Sequence, residues 1–110
     1  MSEELGPRKL AAIMSIDIAG YSAMTEMDEA QALDMVARVR GALDQIAPAH
    51  SGRIFNTAGD GFMLEFASAA GALGAAEMLW GGVERRNVRV GVHVGDVMQA
   101  PNGDLLGHSV

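Results

Sequence analysis

The sequence contains no cysteine, which excludes disulfide bonds and thiolate metal sites and leaves nothing that asks for an oxidising compartment. It also lacks any apolar run long enough to span a bilayer. Its first residues, MSEELGPRK, do not follow the basic-then-apolar order of a secretory leader. A cytoplasmic protein is the expectation. Basic residues are scarce, eight Lys and Arg against fourteen Asp and Glu, and the formal net charge is -6. A chain of that sign repels nucleic acid and anionic lipid surfaces, so neither a nucleic-acid nor a membrane partner is expected.

What is present is a globular balance. The 110 residues are 49% hydrophobic and 20% charged, enough for one small domain and too apolar for a disordered chain. Residues 1–8 are polar and broken by Gly6-Pro7, and read as a flexible lead-in; residues 9–110 read as one domain.

The stretch LAAIMSIDI (10–18) is short, nearly all apolar and followed by Ala19-Gly20, the pattern of a strand covered on both faces. Next, Asp28 with Gln31 three residues later forms an N-cap signal for a helix. Leu33, Val36, Leu43 and Ile46 fall at helical spacing along it, and Pro48 is expected to end it. GRIFNTAGDGFMLEF shows two alternating runs about Gly59-Asp60-Gly61, a hairpin with Phe62, Leu64 and Phe66 on one face and Met63 and Glu65 on the other. A second helix is predicted from Ala67 to about Val83, closed by Gly81-Gly82, although glycine costs roughly 1 kcal/mol relative to alanine inside a helix. NVRVGVHVGDVMQ alternates Val88, Val90, Val92 and Val94 against Arg89, Gly91, His93 and Gly95, a strand with one buried face; Pro101-Asn102-Gly103 turns the chain into DLLGHSV. The order β, α, hairpin, α, β predicts an α+β fold of ferredoxin-like or palm type, a mainly antiparallel sheet with helices packed on one face.

Two acids stand out. Asp17 ends an apolar strand, where a charge needs a partner: it is either a metal ligand or an acid that caps backbone N–H groups of the next turn. Asp60 sits between two glycines at the hairpin tip, where aspartate is also an ordinary turn residue. Should the first strand neighbour the hairpin, the two carboxylates meet, and a pair of this kind suits magnesium or manganese with phosphate oxygens. The AGYS turn after Asp17 either presents backbone N–H groups to a phosphate or simply joins strand to helix, the plainer and preferred reading. Arg89, on the outer face of its strand, is either solvated surface or a phosphate ligand. His50, His93 and His108 are scattered without metal-ligand spacing and read as structural.

Three blocks, RKLAAIMSIDIAGYSAM, SGRIFNTAGDGFMLEF and VRVGVHVGDVMQAPNGDLLGHSV, occur in an order and at separations that resemble the catalytic domain of the class III adenylate/guanylate cyclases, in particular the bacterial form. The AGDGF hairpin fits these better than the related nucleotidyl transferases or diguanylate cyclases. The resemblance implies that Asp17 and Asp60, with the carbonyl of Ile18, hold two divalent cations, magnesium or manganese. It implies that Ala19, Gly20, Tyr21, Ser22 and Arg89 contact the phosphates of a nucleoside triphosphate, and that Asn56 and Asp104 read the base. The implied reaction is attack of the ribose 3′-hydroxyl on the α-phosphorus, with ATP ahead of GTP as substrate. The implied assembly is a head-to-tail homodimer in which one subunit supplies the metal aspartates and the other the base-reading groups.

Two departures from the family pattern qualify the expectation. Asn56 stands where adenylate-forming members usually carry a lysine. The family's asparagine and arginine beyond GHSV have no counterpart before Val110, so no catalytic residue is assigned beyond the metal ligands. Loss of one such preorganised donor typically costs about 100- to 1000-fold in rate. A domain incomplete at its C-terminus is therefore expected to turn over weakly or not at all, and to pair with a second copy, with segment exchange as one outcome. The alternative is a non-catalytic nucleotide-binding or dimerisation module derived from the same fold.

Overall fold

The computed structural model describes residues 8–59, 61–82, 88–99 and 105–107. Five strands, β1 (Arg8–Ile18), β2 (Gly52–Ala58), β3 (Gly61–Phe66), β4 (Val88–Gln99) and β5 (Leu105–Gly107), form one sheet in the order β2-β3-β1-β4-β5. Every pairing is antiparallel. Helices α1 (Tyr21–Met27), α2 (Glu29–Ala49) and α3 (Ala69–Gly82) occupy the connections. This is the expected α+β plan, with β1 at the centre.

Alternation along β1 divides its apolar residues between two layers. Ala12, Met14, Ile16 and Ile18 enter the main core with Phe62, Leu64 and Phe66 of β3 and the apolar stripes of α2 and α3. Ala11 and Ile13 point the other way and pack with Phe55 and Met63 on a face that no described helix residue joins. The sheet therefore has a helix-covered face and an open face, so among the described residues helices do not cover β1 on both sides, the cover that its nearly all-apolar run predicts; on the open side Ala11 and Ile13 are buried by the side chains of Phe55 and Met63, and Ser15 and Asp17 continue that face.

Helix α2 starts as expected: the Gln31 backbone N–H donates to Oδ1 of Asp28 at 3.1 Å. Its buried stripe is Ala32, Met35, Val39, Leu43 and Ile46, one turn apart along one side. Leu33, expected in that stripe, is exposed, and Val36 only flanks the core. Ala32 takes the buried place instead, small enough for close helix–sheet approach. Nor does Pro48 end the helix; it lies inside the last turn, where only one backbone bond is forfeited. The turn closes just beyond, where His50 N–H donates to the Ala47 carbonyl and Ser51, at φ 59°, reverses the chain into β2.

The alternating valines of β4 are buried only at its start. Val88 is buried and Val90 packs against the core, but Val92 and Val94 are 38% and 47% exposed. They pair with Met14 and Ala12 across the β1–β4 ladder, yet no described element covers them as α2 and α3 cover those partners.

Candidate functional site

The site lies on the open face, where two rows of residues cross the sheet. In the first, Asn56 of β2 pairs with Met63 of β3, Met63 with Ser15 of β1, and Ser15 with Gly91 of β4. In the second, Ala58 pairs with Gly61, Gly61 with Asp17, and Asp17 with Arg89. A cavity of about 450 Å³ opens over these rows, lined among others by Asp17, Arg89, Asn56, Ser15, Met63 and Gly91. That volume falls within the range of small-molecule pockets. Gly61 and Gly91 give it depth; a Cβ on Gly91 would sit 3.2 Å from Oγ of Ser15.

A β-bulge aims Asn56 into this cavity. Residues two apart share a face in a regular strand, so Ile54 and Asn56 would both point into the core or both away from it. The register shifts between them. Ile54 packs against the main core, while Asn56 stands opposite Met63 at the cavity. The extra residue, Phe55, packs with Ala11, Ile13 and Met63. Bulges re-aim side chains in this way beside functional sites.

Across the cavity Nε of Arg89 donates to Oδ1 of Asp17 at 2.8 Å. The pair is exposed to water, 46% for Asp17 and 70% for Arg89. Asp17 therefore has its partner, but that partner is the guanidinium of the neighbouring strand and not the backbone of the next turn. The half-exposed Asp17 carboxylate is an oxygen donor of the kind that suits a hard cation keeping part of its water shell, whereas Ile18, the other expected ligand, is 1% exposed and is not among the residues lining the cavity. No group of three or more His, Cys, Asp or Glu residues gathers for a metal among the described residues.

Of the other expected site residues, Gly20 takes the left-handed conformation (φ 71°) at the N-cap of α1, and Ala19 precedes it. Tyr21 and Ser22 begin α1, a short helix where the sequence pattern predicts only a turn. Tyr21 packs against the main core. Asp60, Asp104 and His108 lie outside the described residues; Gly61, which follows Asp60, is the register partner of Asp17. His50 is structural as expected: Nδ1 lies 3.1 Å from the Ile46 carbonyl oxygen and the ring fills the space above Gly74. Ser15, Met63 and Gly91 were not singled out from sequence. The usable signal was alternation, which places Ser15 on the same face as Asp17, and Gly91 on that of Arg89.

No family model matches the sequence. A Rhizobium meliloti (strain 1021) protein provisionally named adenylate cyclase 3 is 36% identical over 121 aligned positions; the match takes in 100% of this chain but only 20% of that protein. Among solved structures, an adenylate/guanylate cyclase/hydrolase from Silicibacter pomeroyi superposes with a TM-score of 0.80 at 30% identity, over 94% of this chain and 66% of that one. The catalytic core of a rhodopsin-guanylyl cyclase with converted specificity, solved with ATPαS, gives a TM-score of 0.79 over 97% of this chain and 69% of its own, at 18% identity that speaks for the fold alone.

Proposed function

Because the chain belongs to the class III adenylate/guanylate cyclase catalytic-domain family, of which it spans a part, we propose that its open-face cavity binds a purine nucleoside triphosphate, ATP ahead of GTP, for conversion to the 3′,5′-cyclic nucleotide and pyrophosphate. The observation that carries this reading is the convergence of a carboxylate, an arginine fork and an amide, Asp17, Arg89 and Asn56, on one cavity from three strands.

In this reading Asp17, with the Ile18 carbonyl and Asp60, holds two divalent cations, magnesium or manganese. When bound, these ions make the ribose hydroxyl more acidic and neutralise charge on the leaving phosphates. Arg89, always charged and forked, pairs with phosphate oxygens, and the turn Ala19–Ser22 adds backbone contacts. Asn56 hydrogen-bonds the base edge, jointly with Asp104. As the ribose 3′-hydroxyl gives its proton to solvent water and its oxygen bonds to the α-phosphorus, the bond from that phosphorus to pyrophosphate breaks. Two copies pair head to tail with their open faces together, and the base is read by Asn56 of the same cavity or by Asn56 of the facing copy.

A second reading, a nucleotide-binding or dimerisation module without turnover, is favoured by the neutral Asn56 in place of a lysine. Calorimetric titration with manganese and a non-hydrolysable ATP analogue tests the binding both readings share, and Asp17→Ala and Asp60→Ala should abolish it. Formation of cyclic nucleotide from ATP or GTP that depends on Asp17 supports the cyclase. Analogue binding without product supports the module, and absence of binding defeats both.

A further inference from the structure

The contact between Arg89 and Asp17 carries a consequence for how the ligands arrive. We propose that Arg89 is the resident counter-cation of Asp17: it occupies the carboxylate in the cation-free protein and transfers to phosphate when cation and nucleotide bind together, which makes their binding cooperative. The inference rests on the reading of Asp17 as a cation ligand given above.

The two residues are direct register partners on β1 and β4. Their backbones are fixed side by side in the sheet, and the side chains meet without rearrangement at 2.8 Å. An ion of charge two that takes Oδ1 of Asp17 must displace the guanidinium. The displaced group cannot lose its proton to relieve the repulsion, because arginine stays charged. With the cation alone, Arg89 is driven into water beside a like charge. With a triphosphate present, the same cavity offers it new acceptors in the bidentate geometry that arginine prefers. Both side chains are substantially exposed, so the pair is weak enough to break and acts as a toll on cation entry and not as a structural lock. By linkage, a nucleotide that removes this toll tightens the cation, and the cation tightens the nucleotide by the same factor.

The test is manganese binding to the chain, followed by the paramagnetic resonance signal of the free ion, with and without a non-hydrolysable ATP analogue, each read against a protein-free blank that subtracts the manganese the analogue itself chelates. Wild type should bind manganese weakly alone and more tightly with the analogue. Arg89→Ala should bind manganese alone roughly two- to fivefold more tightly than wild type, as expected for removal of an exposed competing ion pair, and the enhancement by the analogue should be smaller than in wild type, the part that remains coming from direct ligation of manganese by the phosphates. Raising the salt should narrow the difference between the two proteins. Arg89→Gln, which keeps the length and removes the charge, should behave like Arg89→Ala, and circular dichroism shows that each is folded. If Asp17→Asn weakens manganese binding but Arg89→Ala leaves it unchanged or weaker than wild type, the counter-cation role is overturned while the ligand role of Asp17 survives. If Asp17→Asn has no effect, both fall.

Discussion

Asn56 stands opposite Met63 across the β2–β3 hairpin, just past a bulge that sets it on the face opposite Ile54. It is exposed and lines the same cavity as Asp17 and Arg89. Its amide offers both donors and an acceptor to a base edge. Asn56→Ala should therefore leave the fold intact and weaken binding of a non-hydrolysable ATP analogue by about two- to tenfold, the worth of one neutral hydrogen bond. Paired titrations of wild type and variant, with thermal melts as control, check this; equal affinities would remove Asn56 from the site.

Gly52 is required by packing. A Cβ at this position would collide with the ring of Phe66, which is fully buried in the main core. The ring has no room to retreat, so Gly52→Ala should destabilise the protein by about 1–3 kcal/mol, as overpacking of a filled core does. Gly41→Ala is the contrast, since open space surrounds its Cβ position in the exposed side of α2; there alanine should stabilise by about 0.5–1 kcal/mol through helix propensity. Denaturant midpoints of the two variants should move in opposite directions.

Two arginine ion pairs, one within a helix and one across the hairpin, differ in burial. Nε of Arg40 donates to Asp44 one turn along α2 at 3.2 Å, with side chains 48% and 56% exposed. Nε of Arg53 donates to Glu65 across the hairpin at 2.8 Å, where the Glu65 side chain is only 9% exposed. Arg53 also lies over the Phe55 ring, 5.8 Å from its centroid. Arg40→Ala should cost no more than about 0.5 kcal/mol. Arg53→Ala withdraws a charge-assisted bond from a desolvated carboxylate and should cost on the order of 1–3 kcal/mol. Unfolding free energies of the two variants decide it; equal losses would mean that water reaches Glu65 freely.

What the sequence revealed of this fold followed local rules. The Asp28 cap, the alternation of Phe62, Leu64 and Phe66, and the apolar run of β1 each depend on neighbours a few residues away, and each was legible. The wrong choices were decided by contacts between distant segments. Ala32 displaces Leu33 from the buried stripe because of what α2 packs against, and Val92 and Val94 stay exposed because nothing described covers that end of β4. The site divides in the same way. Asp17 was conspicuous as a lone charge in an apolar run, but its pairing with Arg89, seventy-two positions away, exists only through the β1–β4 register. The bulge at Phe55 could not be read from alternation, because two adjacent residues facing the same side break the very period on which that reading relies.

The proposed head-to-tail assembly makes a quantitative demand. Asp17 and Asn56 line one cavity within a single chain, so a site could be completed by one copy or by two. If two copies share each site, an equimolar mixture of Asp17→Ala and Asn56→Ala chains forms mixed dimers that hold one doubly impaired site and one intact site. Random pairing puts half the dimers in the mixed class, so about a quarter of all sites should recover wild-type affinity. Titration of the mixture with the ATP analogue and manganese should show a high-affinity component of that size, absent from either variant alone. If each copy completes its own site, mixing restores nothing, because every chain still carries its own defect. The experiment thus separates the shared site from the self-contained one without requiring turnover, and a mixture no better than the average of its components would rule out the shared site.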